Sequence, residues 1–141
     1  MTTNTYLNFN GNTEEAFNFY RSVFGGEFAT IMRFKDVPPG AGMPPEEQNM
    51  VMHVALPIGS SMLMGTDAVK SMGQSVAAGT NSSIIVSTDT RQEADKFFHG
   101  ISQGGKVTVP LADMFWGDYF GAVTDKFGVQ WMISHRAQNQ Q

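Results

Sequence analysis

The stretch Glu15–Tyr20, EAFNFY, recurs 78 residues later as Glu93–Phe98, EADKFF. The two copies share the glutamate, the alanine, the phenylalanine at the fifth position and an aromatic residue after it. Each copy runs into a glycine pair, Gly25-Gly26 in the first and Gly104-Gly105 in the second. Similarity of this kind at a fixed offset is the signature of an internal repeat. The sequence therefore predicts a duplicated structural unit.

Each copy is predicted to contain one amphipathic helix. In the first copy the apolar positions follow the spacing i, i+3, i+4, i+7 at Ala16, Phe19, Tyr20 and Val23. The second copy repeats this stripe at Ala94, Phe97, Phe98 and Ile101. Such a stripe is typical of a helix that packs on a sheet. Asn12 or Thr13 can cap the first helix and Thr90 the second, and the glycine pairs end them.

Four strands are predicted in each copy, one before the helix and three after it. The strand before the helix is expected at Tyr6–Phe9 in the first copy and at Ile84–Ser87 in the second. Two hairpins are expected, with strands at Met50–Pro57 and Met62–Gly65, and at Tyr119–Thr124 and Val129–Ser134. The turn of the second hairpin, Asp125–Gly128, has the chemistry of a type I turn. The fold class is therefore α+β, with two βαβββ modules in tandem.

The chain is predicted to be one domain over residues 1–141. Its parts are a first module at about 4–67, a linker at about 67–81, a second module at about 82–134 and a polar tail at 135–141. Lys35–Asn49 contains four prolines, which oppose regular strand pairing. This loop is either a lid or binding loop, or a solvated surface excursion.

Composition excludes several classes of function. The chain has 141 residues, of which 41% are hydrophobic and 16% charged, as in a folded domain. It has no cysteine, so a cysteine nucleophile and a thiolate metal site are excluded. A net charge of −4 without a basic stripe argues against nucleic acid as a partner. No apolar run nears the roughly 18 residues of a membrane span, and no signal peptide is recognised, so we expect a cytoplasmic protein without a membrane partner.

Longer stretches of the sequence resemble a known family. They are Tyr6–Ala16, Phe19-Tyr20, Phe24–Gly26, Met52–Leu56, Met62–Asp67, Phe115–Gly117 and Phe120–Trp131. In this order, over about residues 4 to 134, they resemble PhnB-like proteins of the vicinal-oxygen-chelate superfamily, which includes glyoxalase I, bleomycin-resistance proteins and extradiol dioxygenases. The resemblance implies paired βαβββ modules that form a curved eight-stranded mixed sheet around a cleft, with the helices on its outer face. It also implies a homodimer.

The resemblance further implies where a metal would be held. Enzymes of the superfamily bind a divalent ion through side chains of the first and last strands of each module. In this sequence those positions are expected near Thr5, Ser83, Met132 and the trio Met62, Leu63 and Met64. Hydroxyls and thioethers do not hold Zn²⁺, Mg²⁺ or Fe²⁺ against water. We therefore expect no metal, and no motif indicates another cofactor.

The three histidines do not supply the missing ligands. His99, near the end of the second helix, and His135, in the polar tail, are expected to be solvated. His53 lies in the middle of a predicted strand, and two interpretations stay open. It is either a buried histidine satisfied by a hydrogen bond, or a cleft-lining acid, base or ligand-binding group.

Soft apolar side chains are the remaining signal. Of ten methionines, those in predicted strands are Met50, Met52, Met62, Met64 and Met132. An aromatic cluster follows at Phe115, Trp116, Tyr119 and Phe120. These side chains either build the core or line a small-molecule site with few polar anchors. Asp113 and Asp118 flank the first two aromatics and are either solvated or a functional carboxylate pair.

We therefore expect a metal-independent PhnB-like protein that binds a small apolar or aromatic molecule in its cleft. The expected ligand-binding residues are Phe9, His53, Met64, Phe115, Trp116, Gln130 and Met132. The alternatives are a metal-dependent lyase or isomerase, a 3-demethylubiquinone 3-methyltransferase-like enzyme, and a structural duplicate whose cleft is filled by its own side chains. Whether the protein is a catalyst stays open at this point.

Overall fold

The computed structural model describes residues 1–36 and 43–137. The chain forms two compact units, Met1–Ala77 and Ala78–Gln141. The boundary between them falls inside the stretch of small residues for which the sequence predicts a linker. We describe each unit by itself.

Unit 1 contains a four-stranded mixed sheet with one long helix. Its strands are β1 (Thr5–Phe9), β2 (Thr30–Arg33), β3 (Val51–Ile58) and β4 (Ser61–Asp67), and its α-helices are α1 (Thr13–Phe24) and the short α2 (Pro45–Gln48). The strand order is β1-β4-β3-β2. β1 pairs with β4 in parallel, and the other pairs are antiparallel.

Unit 2 repeats this topology. Its elements are β5 (Ile84–Ser87), α3 (Arg91–Ile101), β6 (Lys106–Asp113), β7 (Tyr119–Thr124) and β8 (Gln130–His135). The strand order is β5-β8-β7-β6, with β5 and β8 parallel and the other pairs antiparallel. The duplicated βαβββ module and the α+β class are therefore confirmed, in the described residues, as two four-stranded mixed sheets.

The buried side of α1 is wider than its sequence pattern predicts. Ala16, Tyr20 and Val23 are buried as expected, but Phe17 is also fully buried and Phe19 is only half-buried. A broad sheet covers more of a helix than a narrow stripe of side chains. Burial of a side chain as large as Phe17 contributes about 1.5–3 kcal/mol.

The start of α1 is held by a carboxylate from the end of β4. Asn12 occupies the N-cap position without a side-chain capping bond. Instead Oδ1 of Asp67 accepts the backbone N–H of Thr13 at 3.0 Å and its hydroxyl at 2.5 Å. Oδ2 of Asp67 accepts the backbone N–H of Val51 at 2.9 Å. One buried carboxylate thus joins α1, β3 and β4.

Unit 2 uses a carboxylate in a related way. Oδ1 of Asp125 accepts the backbone N–H groups of Phe127 and Val129 at 2.8 and 3.0 Å, and Oδ2 accepts Nε1 of the buried Trp131 at 2.8 Å. The predicted turn is confirmed, since the N–H of Gly128 donates to the carbonyl of Asp125 at 3.0 Å. At the start of α3, Thr90 accepts the N–H of Glu93 at 3.0 Å, as the capping prediction requires.

The proline-rich segment and the connector differ in part from their predictions. Residues 37–42 lie outside the described residues. On either side of them the chain forms a short 3₁₀ helix, Phe34–Asp36, and α2. The connector is not wholly a surface segment, because Val69 is fully buried and Ser71 donates from its backbone N–H to the buried Glu47 at 3.1 Å. In the described residues, no helix has the length and hydropathy of a membrane span.

Candidate functional site

The two faces of each sheet can be told apart because a helix packs on one of them. A Cβ added at Gly65 would lie 2.6 Å from Cε1 of Phe17 on α1, so Gly65 faces the helix. Side chains alternate along a strand, so its neighbours face the other way. We call that other side the helix-distal face of unit 1. It carries Tyr6, Asn8, Thr30, Met32, His53, Ala55, Met62, Met64 and Thr66.

Tyr6 of β1 and His53 of β3 meet on this face, across β4. Oη of Tyr6 lies 3.0 Å from Nδ1 of His53, and the ring centroids are 5.7 Å apart. Desolvation raises the pKa of Tyr6, against a smaller lowering by a hydrogen bond with Thr66. The phenol is therefore protonated at neutral pH, and it can donate to the imidazole or accept from it. His53 has a hydrogen-bond partner, as expected of a satisfied histidine. It also lies on the helix-distal face, as expected of a ligand-binding group.

We assign the tautomer of His53 from this hydrogen bond, taking the phenol as the donor. A neutral imidazole that accepts at Nδ1 carries its proton at Nε2. We therefore assign the Nε2–H tautomer. Among the described residues no side chain bonds to Nε2, and no buried side-chain nitrogen or oxygen lacks a partner. Nε2 is thus a donor that reaches solvent.

Apolar side chains surround the pair. Met32, Met62 and Met64 are half-buried on the same face, and Ala55 is buried. Methionine is flexible and polarisable, so it adapts to ligands of irregular shape. The face therefore combines a soft apolar floor with the Tyr6–His53 pair and the polar side chains of Asn8, Thr30 and Thr66.

Unit 2 has a corresponding face. A Cβ added at Gly121 would lie 2.6 Å from Cε2 of Phe98 on α3, which marks the helix side of this sheet. The helix-distal face of unit 2 carries Ile85, Ser87, Phe120, Ala122, Gln130, Met132 and Ser134. Ile85 pairs with Met132 as Tyr6 pairs with Met64 in unit 1.

The turn between β6 and β7 holds two aromatic side chains in a fixed conformation. Oδ2 of Asp118 accepts Nε1 of Trp116 at 2.9 Å, and Oδ1 accepts Nε of Arg136 at 2.7 Å. Trp116 packs on Phe120 of the helix-distal face, with centroids 6.3 Å apart. Phe115 stands beside Trp116 and is 98% exposed. This turn therefore extends the aromatic surface of unit 2.

Asp113 and Asp118 do not form a carboxylate pair. Both oxygens of Asp113 are bonded by Arg91, at 2.7 and 3.0 Å, whereas Asp118 is held by Arg136. The hydrogen bond from Arg91 lowers the pKa of Asp113. Arg91 also lies over the ring of Tyr119, 3.7 Å from its centroid. Each carboxylate is thus committed to a different guanidinium.

In unit 1 the predicted binding residues do not all share a face. His53 and Met64 lie together on the helix-distal face. Phe9 lies on the helix side, 5% exposed, with its ring edge-on to Phe17 at 6.4 Å between centroids. It belongs to the core of unit 1, because it alternates with Tyr6 and Asn8 along β1. We therefore leave Phe9 out of the candidate site.

In unit 2 the predicted residues lie on or beside the helix-distal face. Gln130 and Met132 are two residues apart on β8 and so point the same way. Nε2 of Gln130 donates to the carbonyl of Ser82 at 2.5 Å, which ties the start of β8 to the segment before β5. Trp116 reaches the face through Phe120, and Phe115 is its neighbour.

Sequence reasoning missed Tyr6. The available signal was strand alternation, which places Tyr6 and the apolar Phe9 on opposite faces of β1. Because Phe9 faces the helix, Tyr6 faces away from it. Its partner His53 lies 47 residues further along the chain. The contact depends on strand order and register, which a local pattern does not reveal.

Of the expected metal positions, Met62, Met64 and Met132 lie on the helix-distal faces, whereas Thr5 and Ser83 do not. Thr5 pairs with Leu63 on the helix side of β1, and Ser83 precedes β5. The helix-distal residues of the first and last strands are Tyr6 and Met64 in unit 1 and Ile85 and Met132 in unit 2. A phenol, two thioethers and an alkyl chain do not fit a hard or borderline divalent ion. Within residues 1–36 and 43–137, no group of three or more histidines and carboxylates is placed to hold one.

The other two histidines lie away from these faces. His99 is exposed near the end of α3, as predicted. His135 was expected in a solvated tail but is the half-buried last residue of β8. Its Nδ1 lies 3.1 Å from the carbonyl oxygen of Thr88. The last strand runs further than the polar sequence after it suggests.

A β-strand, a helix and three strands, repeated with the same strand order, define a protein of the glyoxalase fold. A glyoxalase/bleomycin resistance protein/dioxygenase family enzyme from Burkholderia phytofirmans PsJN shares this fold, with a TM-score of 0.62 and 18% identity over 94% of this chain and 98% of that chain. Protein PA1353 from Pseudomonas aeruginosa is 34% identical, with a TM-score of 0.84 over 96% of this chain and 98% of its own.

Two further comparisons identify the family. A Bacillus cereus structure, described by the PhnB name together with 3-demethylubiquinone-9 3-methyltransferase, is 28% identical, with a TM-score of 0.75 over 96% of this chain and 99% of that one. The family model described as 3-demethylubiquinone-9 3-methyltransferase matches residues 2–134. The chain therefore belongs to this family, and is a PhnB-like protein of the vicinal-oxygen-chelate superfamily.

Proposed function

We propose that this PhnB-like protein binds a small, largely apolar or aromatic molecule without the help of a metal ion. The observation that carries the proposal is the composition of the helix-distal faces. Beside its polar groups, each face carries apolar side chains that are not fully buried, among them Met32, Met62 and Met64 in unit 1 and Ile85, Phe120 and Met132 in unit 2. Small-molecule sites in proteins have this composition.

Exposure of apolar side chains on both faces supports this function. Tyr6 is 44% exposed and Ile85 57% exposed, although both lie in the middle of parallel strand pairs. Trp116, which packs on Phe120, is 47% exposed. Such side chains are available to a ligand in each unit, whereas the helix sides of both sheets are filled by their own helices.

The enzymatic alternatives are not favoured. A metal-dependent lyase or isomerase needs imidazole or carboxylate ligands at the first and last strands, where this chain has a phenol, thioethers and an alkyl side chain. The family description names a methyltransferase, but no glycine-rich motif opens a helix after a strand to hold a nucleotide-like methyl donor. We therefore propose binding or sequestration as the role, by a cytoplasmic homodimer whose stoichiometry light scattering would measure.

The proposal is tested with N-phenyl-1-naphthylamine, an uncharged aromatic probe that fluoresces when it leaves water. We expect saturable binding to the wild-type protein. Met64→Gln and Met132→Gln keep the side-chain length but add an amide to the apolar floor, so each should weaken binding about tenfold where its face contacts the probe.

Met72→Gln is the matched control. Met72 is 58% exposed in the 3₁₀ helix Lys70–Met72, outside the strands that carry the helix-distal faces. This variant should bind like the wild type. Equal binding by all three variants, or no saturable binding to the wild type by this probe or a broad panel of aromatic molecules, would contradict the proposed function.

A further inference from the structure

We propose that the Tyr6–His53 pair anchors the ligand and selects an apolar or aromatic molecule that carries an oxygen acid, namely a carboxylate or an acidic phenol. This inference rests on the proposed function, because the body of the ligand would lie on the apolar floor beside the pair. The pair is the polar group at which the ligand's acidic oxygen would be held.

The hydrogen bond between the two residues makes His53 a donor toward the ligand. In the neutral form Tyr6 donates to Nδ1, so the proton of the imidazole is at Nε2. In the protonated form Nδ1–H donates to the phenol oxygen, and Nε2 still carries a hydrogen. Both forms therefore present an N–H group at Nε2 and select ligand atoms that accept a hydrogen bond.

Charge favours an anionic acceptor over a neutral one. In strands β1–β4 the charged or titratable side chains besides the Tyr6–His53 pair are Arg33 and Asp67. Arg33 donates to Glu14 of α1 at 2.7 Å and to the carbonyl of Asn49, and Asp67 is buried on the helix side. From the strands packed beside it, His53 is faced by Tyr6 of β1, Met64 and Thr66 of β4, and Met32 of β2.

No carboxylate of these four strands therefore competes for a positive charge on His53. An anion placed at Nε2 stabilises the protonated imidazole, so binding of the anion is coupled to uptake of a proton. The affinity for an anionic ligand should fall as pH rises through the range in which histidine loses its proton. A neutral ligand of the same shape should show little of this dependence.

The test uses two probes that share a naphthalene ring. 2-Naphthoate is an anion throughout pH 5.5 to 8, because aromatic carboxyl groups titrate near pH 4, and 2-naphthamide is its uncharged counterpart. For the wild type we expect naphthoate to bind about tenfold more tightly at pH 5.5 than at pH 8, and the amide to bind equally at both. Calorimetry in buffers of different ionisation enthalpy should show proton uptake with naphthoate alone.

His53→Gln separates the donor from the charge. The glutamine amide can donate near the position of Nε2 but cannot take up a proton. We expect this variant to lose both the pH dependence and the proton uptake with naphthoate. His99→Gln removes an exposed histidine of α3 and should leave both probes unaffected.

The outcomes distinguish the two proposals. If both probes bind but the preference for naphthoate at low pH persists in His53→Gln or is absent in the wild type, the inference is wrong and the proposed function stands. If neither probe binds and N-phenyl-1-naphthylamine also fails, both are wrong. An unchanged far-ultraviolet circular dichroism spectrum and melting temperature show that His53→Gln is folded, so loss of the pH effect then supports the inference.

Discussion

In the Tyr6–His53 contact, the tautomer of the histidine depends on the hydroxyl group of the tyrosine. In the assigned tautomer the phenol donates to Nδ1 and the imidazole proton is at Nε2, while desolvation keeps the pKa of Tyr6 above its ordinary value. A free histidine exchanges between two neutral tautomers. The contact with Tyr6 thus makes Nε2 of His53 the donor nitrogen, which the residue type alone does not decide.

Tyr6→Phe should remove the preference of neutral His53 for the Nε2–H tautomer. We expect the imidazole ¹⁵N chemical shifts of His53 to show mainly Nε2–H in the neutral wild-type protein and a mixture of tautomers in the variant. Stability should fall by less than about 1 kcal/mol, since the lost hydrogen bond is partly exposed. Unchanged ¹⁵N shifts in the variant would contradict the assigned tautomer.

Asp67 has the opposite character, because its role is structural. Its two oxygens accept three hydrogen bonds from Thr13 and Val51 inside the protein. Asp67→Asn would turn an N–H₂ group toward one of these donors and leave a backbone amide unsatisfied. We expect a loss of about 2–4 kcal/mol in the free energy of unfolding, measured by urea denaturation.

Asp89→Asn is the control for this change, because Asp89 is exposed before α3. It should alter the free energy of unfolding by less than about 0.5 kcal/mol. A similar small effect at Asp67 would mean that the carboxylate does not join α1 to the strands as described.

At the scale of elements, each helix approaches its sheet over a glycine. A Cβ at Gly65 would meet Cε1 and Cζ of Phe17 at 2.6 and 2.9 Å, and the carbonyl oxygen of Leu7 at 3.2 Å. Gly65→Ala should therefore push α1 from β4 and reduce the free energy of unfolding by about 1–3 kcal/mol. Gly79→Ala, whose Cβ would lie 3.7 Å from its nearest neighbour, should have little effect in the same denaturation assay.

An ion pair between α1 and β2 gives unit 1 a pH dependence of known sign. Arg33 lies 2.7 Å from Glu14 and lowers the pKa of that carboxyl. A lowered pKa in the folded state adds stability above the unfolded-state pKa, which is lost as pH falls through the folded-state value. Both side chains are partly exposed, so the contribution is below about 1 kcal/mol.

Glu14→Gln should therefore destabilise the protein slightly at pH 7, and the difference from wild type should shrink below about pH 4. Urea denaturation at both pH values measures it. Glu15→Gln, one residue along on the exposed side of α1, is the control and should show no such loss. A difference that grows toward acidic pH would reverse the sign and contradict the ion pair.

The positions of helices and strands were predictable where they depend on neighbouring residues in the sequence. The strand before each helix, the two hairpins and the helix boundaries follow from periodicity, turn residues and glycines. The full burial of Phe17 was missed because the i, i+3, i+4 pattern selects one stripe, whereas a sheet covers a broader arc. The capping by Asp67 was missed because the carboxylate comes from a strand 54 residues away in sequence.

At the scale of the whole molecule, the repeat predicted the duplicated topology but not its register. The helices correspond at an offset of 78 residues, whereas the strand pairs Tyr6–Met64 and Ile85–Met132 show that the first strands correspond at 79. A shift of one residue moves a side chain to the other face of a strand. The offset of the helices therefore led to Ser83 as the counterpart of Thr5, although Ser83 precedes β5.

That corrected register leads to an expectation for the whole protein. Tag-free protein should keep its melting temperature when excess EDTA is added, because no helix-distal residue of the first and last strands is an imidazole or a carboxylate. Zn²⁺ or Mn²⁺ should not raise the melting temperature, whereas any ligand at a hundred times its Kd adds about 2.7 kcal/mol. A melting temperature that falls with EDTA and recovers with one equivalent of metal per chain would refute metal independence. Saturating N-phenyl-1-naphthylamine is the positive control, since it should stabilise the protein with and without EDTA.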